Sequence, residues 1–250
     1  RDRSPSRGLG DVYKRQVLRQ FKGFSYFTEM SDIINRLEDH VASARMKTTP
    51  VIDFEKNESL KGLDYLDTIY HAIVNEHPIQ LKYRSFKARS ANSFIFYPYL
   101  LKEYRNRWFV YGVRGNGRIL QNLALDRIQS LEVLPQEHYI KNTFFDPNTF
   151  FDDLVGVTKN TGSVAEKVGF KVAAAEAPYI ITKPIHRSQQ VMERLADGSV
   201  ILEIEVVINH ELERVFFRYA EGIQVLYPKT LVELMGRKLK KAAEQYTHSK

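Results

Sequence analysis

Apolar residues recur at two different spacings along the chain, and the change between them divides it. Over residues 17–43 and again over about 63–75 they lie three and four positions apart, which is typical of amphipathic helices. Between residues 79 and 134 they form short runs of branched and aromatic residues, separated by turn sequences such as Asn116-Gly117. The pattern therefore predicts helices first and a small β domain after them.

Five of these runs have the length and composition of β-strands. They cover residues 79–86, 93–104, 107–113, 118–125 and 128–134. Short turns join them within about 56 residues, and an open sheet of this size would leave long edges unpaired. We therefore expect a small closed barrel of the SH3-like or Sm-like type.

The chain changes character again after the predicted barrel. Residues 135–165 are irregular, and beyond them strand patterns alternate with helical ones as far as residue 246. The predicted strands cover 166–174, 199–208 and 223–228, and the predicted helices cover 210–220 and 229–246. This alternation favours a second unit of mixed α+β structure.

Together the patterns predict an α+β protein with a helical N-terminal segment, a five-stranded barrel and a C-terminal α+β domain. The expected divisions are a helical linker or dimerisation segment at 17–76, the barrel at 77–140, a linker at 141–165 and the α+β domain at 166–246. Residues 1–16 follow neither spacing, and we expect them to be a non-native or disordered leader.

The basic charge of the protein is concentrated in the predicted barrel. The whole chain has a formal net charge of +7. Residues 77–134 hold ten Lys and Arg against three Asp and Glu, which gives +7 by itself, whereas residues 135–250 hold fifteen of each. This concentration indicates an anionic partner, and a solvated basic face without a partner is the competing interpretation.

Composition and motifs argue against several kinds of chemistry. The chain has no Cys, so it has no disulfide, thiolate nucleophile or cysteine-bound metal. Its seven His show no metal-ligand spacing such as HExxH, and the glycines of "RGNGR" (114–118) precede a strand rather than a helix. No GxSxG motif or paired acid and base is present. We therefore expect no catalytic residue, no metal and no cofactor, in a protein that is not an enzyme.

The expected location follows from what the chain lacks. No apolar run approaches the roughly 18 residues that a membrane span needs, and no signal peptide opens the sequence. Together with the absence of Cys, this predicts a cytoplasmic protein that has no membrane partner.

The predicted barrel carries the side chains that would bind a nucleotide or a single nucleic-acid strand. In the first strand Lys82 and Arg84 share one face, and arginines flank the strand that holds Trp108. Guanidinium groups suit phosphate oxygens, and aromatic faces stack on bases for about 1–3 kcal/mol each. The candidate ligand-binding residues are Lys82, Tyr83, Arg84, Arg107, Trp108, Tyr111, Arg114, Arg118 and Arg127. Two structural interpretations stay open, namely Trp108 as a core residue and Arg127 as the ion-pair partner of Asp126.

Three stretches of this region resemble the WYL domain, an Sm-like barrel preceded by a helix. They are "IYHAIVNEHPIQLKY" (69–83), "YPYLLKEYRNRWFVYGV" (97–113) and "LALDRIQSLEVL" (123–134). The Trp-Tyr-Leu triplet that names the family corresponds here to Trp108, Phe109 and Val110. Residues 165–246 are similar to the WCX extension that follows WYL domains in bacterial transcription regulators, so the resemblance covers about residues 17–246.

The resemblance implies the sensor portion of a transcription regulator. In the family a winged helix-turn-helix domain precedes this layout, and "VLRQFKGFSYF" (17–27) resembles the region just after that domain in WYL proteins of the Bacteroidetes type. We expect the DNA-reading domain to be missing from this sequence and DNA to be contacted only through it. The family also implies a homodimer, and a basic pocket for a nucleotide-like or single-stranded effector at Tyr83, Trp108 to Val110, and the Asp126-Arg127 pair.

Three positions depart from the family's pattern and bear on the ligand. Phe109 lacks the hydroxyl of the usual Tyr, and Gln121 and Ala124 stand where many members have Arg. Effector sensing is the predicted function. The alternatives are a constitutive module that binds single-stranded nucleic acid, and an assembly or dimerisation module that uses residues 17–76 and the final helix.

Overall fold

A computed structural model of the protein describes residues 61–115, 117 and 119–247. The chain divides into two units between Phe144 and Phe145. The helical pattern predicted over residues 17–43 and the leader at 1–16 lie outside the described residues. No helix of the described part is long and apolar enough to cross a membrane.

The first unit contains one α-helix and five strands. They are α1 (Leu66–Val74), β1 (Ile79–Tyr83), β2 (Asn92–Tyr104), β3 (Arg107–Arg114), β4 (Leu120–Ala124) and β5 (Ile128–Val133). Short 3₁₀ turns precede α1 at Leu63–Tyr65 and join β4 to β5 at Leu125–Arg127. Each of the five predicted strands is therefore present, although β1 ends three residues earlier than its pattern predicts.

The five strands form an antiparallel sheet in the order β4-β3-β2-β1-β5. The expectation of a closed barrel is wrong, because within the described residues no hydrogen-bonded ladder joins β4 to β5. β4 and β5 are joined by the 3₁₀ turn Leu125–Arg127 instead of a hairpin turn, so β5 runs on to pair with β1 and does not fold back along β4.

Alternation along the strands builds the core of the first unit. In β1, Ile79 and Leu81 are fully buried, whereas Lys82 is exposed. On α1 the buried residues recur three apart and pack against the same core. The core contains Leu66, Ile69, Ala72, Ile79, Leu81, Phe96, Trp108, Val110, Leu123, Leu125 and Ile128.

Local backbone requirements explain the turn between β2 and β3. Arg105 and Asn106 have φ angles of 51° and 59°, as a two-residue hairpin of the type I′ class requires. The Asn106 N–H donates to the Glu103 carboxylate at 2.6 Å, which fixes the turn further. Further along β3, a Cβ at Gly112 would lie 2.1 Å from the Tyr97 carbonyl oxygen, so the close approach of β2 and β3 needs glycine there.

The second unit is built on a four-stranded antiparallel sheet in the order β7-β8-β6-β9. Its elements are β6 (Glu166–Val172), α2 (Ala177–Thr182), β7 (Gln190–Arg194), β8 (Val200–Val206), α3 (His210–Tyr219), β9 (Ile223–Tyr227) and α4 (Lys229–Thr247). A 3₁₀ turn, Ala220–Gly222, joins α3 to β9. The α+β class predicted for this region is confirmed.

The stretch before β6 is tied to the second unit by the N-terminus of α3. The Asn209 side chain caps α3 by accepting the Leu212 N–H at 2.9 Å. Its amide also donates to the carbonyl oxygens of Val155 and Thr158 at 3.0 Å and 2.9 Å. Part of the segment predicted as a linker is thus held by α3.

Candidate functional site

The strand pairing in the first unit brings Arg107 and Asp126 together. β3 and β4 are antiparallel and their ladder ends with Phe109 opposite Ala124, so the start of β3 lies beside the 3₁₀ turn that follows β4. Arg107 Nε lies 3.1 Å from Asp126 Oδ2. This contact joins the start of β3 to the 3₁₀ turn between β4 and β5.

Asp126 is also next to Arg127, so two arginines share one carboxylate. Arg127 Nε lies 3.8 Å from Asp126 Oδ1, and the side chains of Asp126 and Arg127 are 15% and 25% exposed. The Arg107 side chain is 46% exposed and is therefore the one most open to solvent. One negative charge faces two positive charges, so Arg107, Asp126 and Arg127 together carry a net charge of +1.

Arg127 joins this pair of charges to two aromatic side chains. Its guanidinium carbon lies 4.4 Å from the centroid of the Phe86 ring, within the range of a cation–π contact. Burial raises the pKa of the Tyr83 hydroxyl above its ordinary value, and the nearby charge of Arg127 opposes that rise. Arg127 therefore lies between a half-buried Tyr83 and a Phe86 ring that is 74% exposed.

The loop that carries Phe86 is strongly basic. Its backbone is fixed at one end, because the Arg84 N–H donates to the Arg127 carbonyl oxygen at 3.1 Å. The exposed cations of β1 and this loop are Lys82, Arg84, Lys87 and Arg89, and none of the four pairs with an acidic side chain among the described residues. We call the group formed by Tyr83, Arg84, Phe86, Arg107, Asp126 and Arg127 the Asp126 cluster.

Two of the predicted site residues lie in the interior. Trp108 is 8% exposed and belongs to the core with Val110, and Tyr111 is 2% exposed. Because side chains alternate along a strand, Trp108 and Tyr111 point to opposite faces of β3. The structural interpretation of Trp108 as a core residue thus agrees with its position, and both rings are largely covered by protein.

The remaining predicted residues are not members of the Asp126 cluster, and one of them is not among the described residues. Arg114 ends β3 seven residues after Arg107, about 23 Å along an extended strand. Its guanidinium carbon lies 4.0 Å from the Phe94 ring centroid, so it covers part of the core edge. Lys82 is exposed on β1, and Arg118 lies outside the described residues.

Phe86 and Asp126 have roles that the sequence patterns did not assign. The pattern placed Phe86 at the end of a strand, whereas β1 stops at Tyr83 and leaves Phe86 in a turn. An aromatic residue within the basic run "YRSFKARS" (83–90) is the signal that could have identified it. Asp126 was named as the ion-pair partner of Arg127 and as part of the pocket that the resemblance implies, but its contact with Arg107 was not expected, because it depends on strand pairing.

Within residues 61–115, 117 and 119–247, no group of three or more His, Asp and Glu side chains is placed to hold a metal ion. The chemistry that the Asp126 cluster offers is instead electrostatic and stacking recognition, through guanidinium groups and an exposed aromatic face.

Comparisons with known proteins match both units. The family model of the WYL domain matches residues 64–133, and that of the WCX domain matches residues 165–243. None of the curated proteins has a matching sequence.

Two solved structures match about three quarters of this chain, with low sequence identity and low TM-scores. Proteasome accessory factor B/C (PafBC) of Arthrobacter aurescens is 16% identical, with a TM-score of 0.30, over 77% of this chain and 28% of that chain. A CRISPR Cas-related protein is 12% identical, with a TM-score of 0.44, over 74% of this chain and 52% of that chain. The present chain thus spans roughly a quarter of the first solved chain and half of the second.

Proposed function

The chain belongs to the proteins in which a WYL domain is followed by a WCX domain, and we propose that it is the effector-sensing portion of a bacterial transcription regulator. The effector is a nucleotide or a short single strand of nucleic acid, and it binds at the Asp126 cluster. WYL and WCX domains are regulatory rather than enzymatic, so the task of the site is recognition.

The observation that carries this proposal is the exposed Phe86 ring with the Arg127 guanidinium packed against it. A phenyl ring that is 74% exposed contributes little to folding, because most of its apolar surface stays in water. Such a ring can stack on a nucleobase, and a guanidinium group beside it can bind the adjoining phosphate. The two parts of a nucleotide would therefore find their partners side by side.

The surrounding charge supports a ligand that has more than one phosphate. Arg107 lies on one side of Asp126, and Arg84, Lys87 and Arg89 lie on the loop that carries Phe86. Exposed cations without acidic partners attract phosphates and release counterions on binding. A dinucleotide or an oligonucleotide would use more of these cations than a mononucleotide, so we expect the longer ligands to bind more tightly.

Binding of labelled oligonucleotides tests the proposal directly. Fluorescence anisotropy of fluorescein-labelled dT12 and rU12, with mononucleotides and cyclic dinucleotides as competitors, gives the affinity at several salt concentrations. For a single strand that contacts three or four cations, the logarithm of the binding constant should fall with the logarithm of the salt concentration with a slope of about −2 to −3. Affinity that does not change with salt, or no binding of any of these ligands, would contradict the proposal.

The two alternatives make different predictions about the same titration. A sensor changes its preferred arrangement when the effector binds, whereas a constitutive binding module does not. Small-angle X-ray scattering of the protein with and without saturating dT12 separates these two outcomes. An assembly module without a ligand would show a concentration-dependent mass and no change on adding dT12.

A further inference from the structure

The carboxylate of Asp126 is shared unequally by its two arginines. Oδ2 lies 3.1 Å from Arg107 Nε, whereas Oδ1 lies 3.8 Å from Arg127 Nε. Both Asp126 Oδ1 and Arg127 Nε are buried, and neither has a hydrogen-bond partner among the described residues. A buried donor and a buried acceptor thus face each other at a distance too long for a hydrogen bond.

The contact between Asp126 and Arg127 is unfavourable, whereas the contact between Asp126 and Arg107 is favourable but open to solvent. An unsatisfied buried polar atom loses its hydration without gaining a partner, so Oδ1 and Arg127 Nε would each be stabilised by closing the gap. Arg107, which has the close contact, is also the more exposed arginine, at 46% against 25% for Arg127. An anion that arrives from solvent therefore meets Arg107 first.

We propose that Asp126 exchanges one arginine for the other when an anionic ligand binds, and that it sets the affinity of the site by competing for Arg107. The inference rests on the proposed function. A phosphate oxygen of the ligand takes over Arg107, and the released carboxylate closes onto Arg127 Nε. The movement needed is about 1 Å, the difference between the present separation and an ordinary hydrogen bond.

The exchange would connect ligand binding to the loop that presents Phe86. Asp126 and Arg127 belong to the three-residue turn between β4 and β5, and the Arg127 carbonyl oxygen accepts the Arg84 N–H. The guanidinium group of Arg127 also contacts Phe86. Holding Arg127 more firmly would therefore fix the ring on which a base stacks.

Competition by Asp126 also makes the site selective. A ligand binds Arg107 only if its interactions with the site are more favourable than the interaction of Arg107 with the Asp126 carboxylate. A simple monoanion forms one such contact, whereas a nucleotide adds stacking on Phe86 and contacts with the loop cations. The carboxylate thus discriminates against small anions and favours ligands that carry both a phosphate and a base.

The exchange itself can be tested without any ligand. NMR spectra of the Arg Nε–Hε groups should show that Arg107→Gln moves the Arg127 signal downfield and slows its exchange with water, because Asp126 is then free to bond Arg127. Arg114→Gln is the matched control, since Arg114 lies at the other end of β3, and it should leave that signal unchanged. An Arg127 signal that does not respond to Arg107→Gln would overturn the exchange.

The competition is tested by the affinity for dT12. Asp126→Asn should strengthen binding about fivefold, because Arg107 no longer has a charged competitor, and this gain should vanish in the Arg107→Gln background. Glu132→Gln removes the same charge from an exposed position on β5 and should change the affinity by less than about twofold. Weaker binding by Asp126→Asn would show that Asp126 shapes the site instead of competing.

The two tests also separate the exchange from the proposed function. If dT12 binds to neither the wild type nor any variant, the proposed function and the competition both fail. The Arg127 signal in the ligand-free protein still decides whether Asp126 can change partners.

Discussion

The two units of the chain differ in how their basic residues are balanced. In the second unit several cations each face a separate carboxylate. These ion pairs are Lys159 with Asp153, Lys167 with Glu203, Lys171 with Asp197, Arg187 with Asp152, and Lys238 with Glu213. In the first unit two arginines converge on Asp126, and the cations of the Phe86 loop have no acidic partner among the described residues.

This difference shows where a ligand would gain most from the protein. Residues 135–250 have no net charge, whereas residues 77–134 carry +7. The part of this charge on β1 and the Phe86 loop has no acidic partner among the described residues, and the exposed Phe86 ring lies within it. The first unit thus combines an excess of positive charge with an exposed aromatic ring.

The largest effect should come from reversing one charge in each unit. Arg107 and Arg187 are both exposed and each is paired with an aspartate, so they form a matched pair. Arg107→Glu should weaken dT12 binding about 30-fold, because it removes a phosphate contact and adds a second carboxylate beside Asp126. Arg187→Glu should change the affinity by less than about twofold, as measured by anisotropy. Equal losses in both variants would abolish the distinction between the units.

A second comparison concerns two phenylalanines that each contact an arginine. Phe86→Ala should weaken dT12 binding about tenfold and change the free energy of unfolding by less than about 0.5 kcal/mol, since the ring is exposed. Phe94→Ala should lower the free energy of unfolding by about 2 kcal/mol, because Phe94 packs on the core beside Phe96. Urea unfolding and anisotropy measure the two quantities. If Phe86→Ala affected only stability, the ring would be structural.

A substitution in the core of the first unit should have a smaller effect, and it should change stability instead of affinity. Trp108→Phe should lower the free energy of unfolding by about 1–2 kcal/mol, because it leaves a space in the core. The affinity for dT12 should stay within about twofold, since Trp108 is buried away from the surface. A large loss of affinity with unchanged stability would show instead that the ring contacts the ligand.

The smallest expected effect is a pH dependence of stability in the second unit, which contains His186. Burial lowers the pKa of His186, whose Nδ1 accepts the Ser188 N–H at 3.2 Å. As pH falls below about 6.5, the ordinary His value, the unfolded state binds the proton more readily than the folded state, so stability decreases. The second unit should therefore unfold at a lower temperature at pH 5.5 than at pH 7.5. His186→Gln should reduce this difference, and an unchanged difference would assign it to other groups.

The sequence predicted most of the elements but not every pairing. The strands β1 to β5 follow from short apolar runs between turn signals, because alternation and turn residues are local properties. The elements α2 and β7 were missed, since α2 has only six residues and all five positions of β7 are exposed. Closure of the barrel was wrongly expected, because strand patterns do not show which edges meet.

The candidate site was predicted only in part, because its contacts also depend on how the strands pair. Arg107 and Arg127 were identified from composition and resemblance, and the pairing of Arg127 with Asp126 was one of the interpretations left open, but the contact of Arg107 with Asp126 depends on how β3 and β4 pair. Trp108 and Tyr111 were included as aromatic residues of a strand, and their burial follows from packing that the sequence does not specify. Phe86 was missed because β1 ends before its apolar pattern does.

Crosslinking tests the central claim, that the Asp126 cluster contacts the ligand, most directly. A dT12 strand that carries 5-iodouracil, irradiated in complex with the full chain, joins covalently to the aromatic side chain on which the base stacks. Mass spectrometry should find the crosslink in the peptide that contains Phe86, and Phe86→Ala should remove it. A crosslink confined to residues 145–247, or one that persists unchanged in Phe86→Ala, would contradict the account.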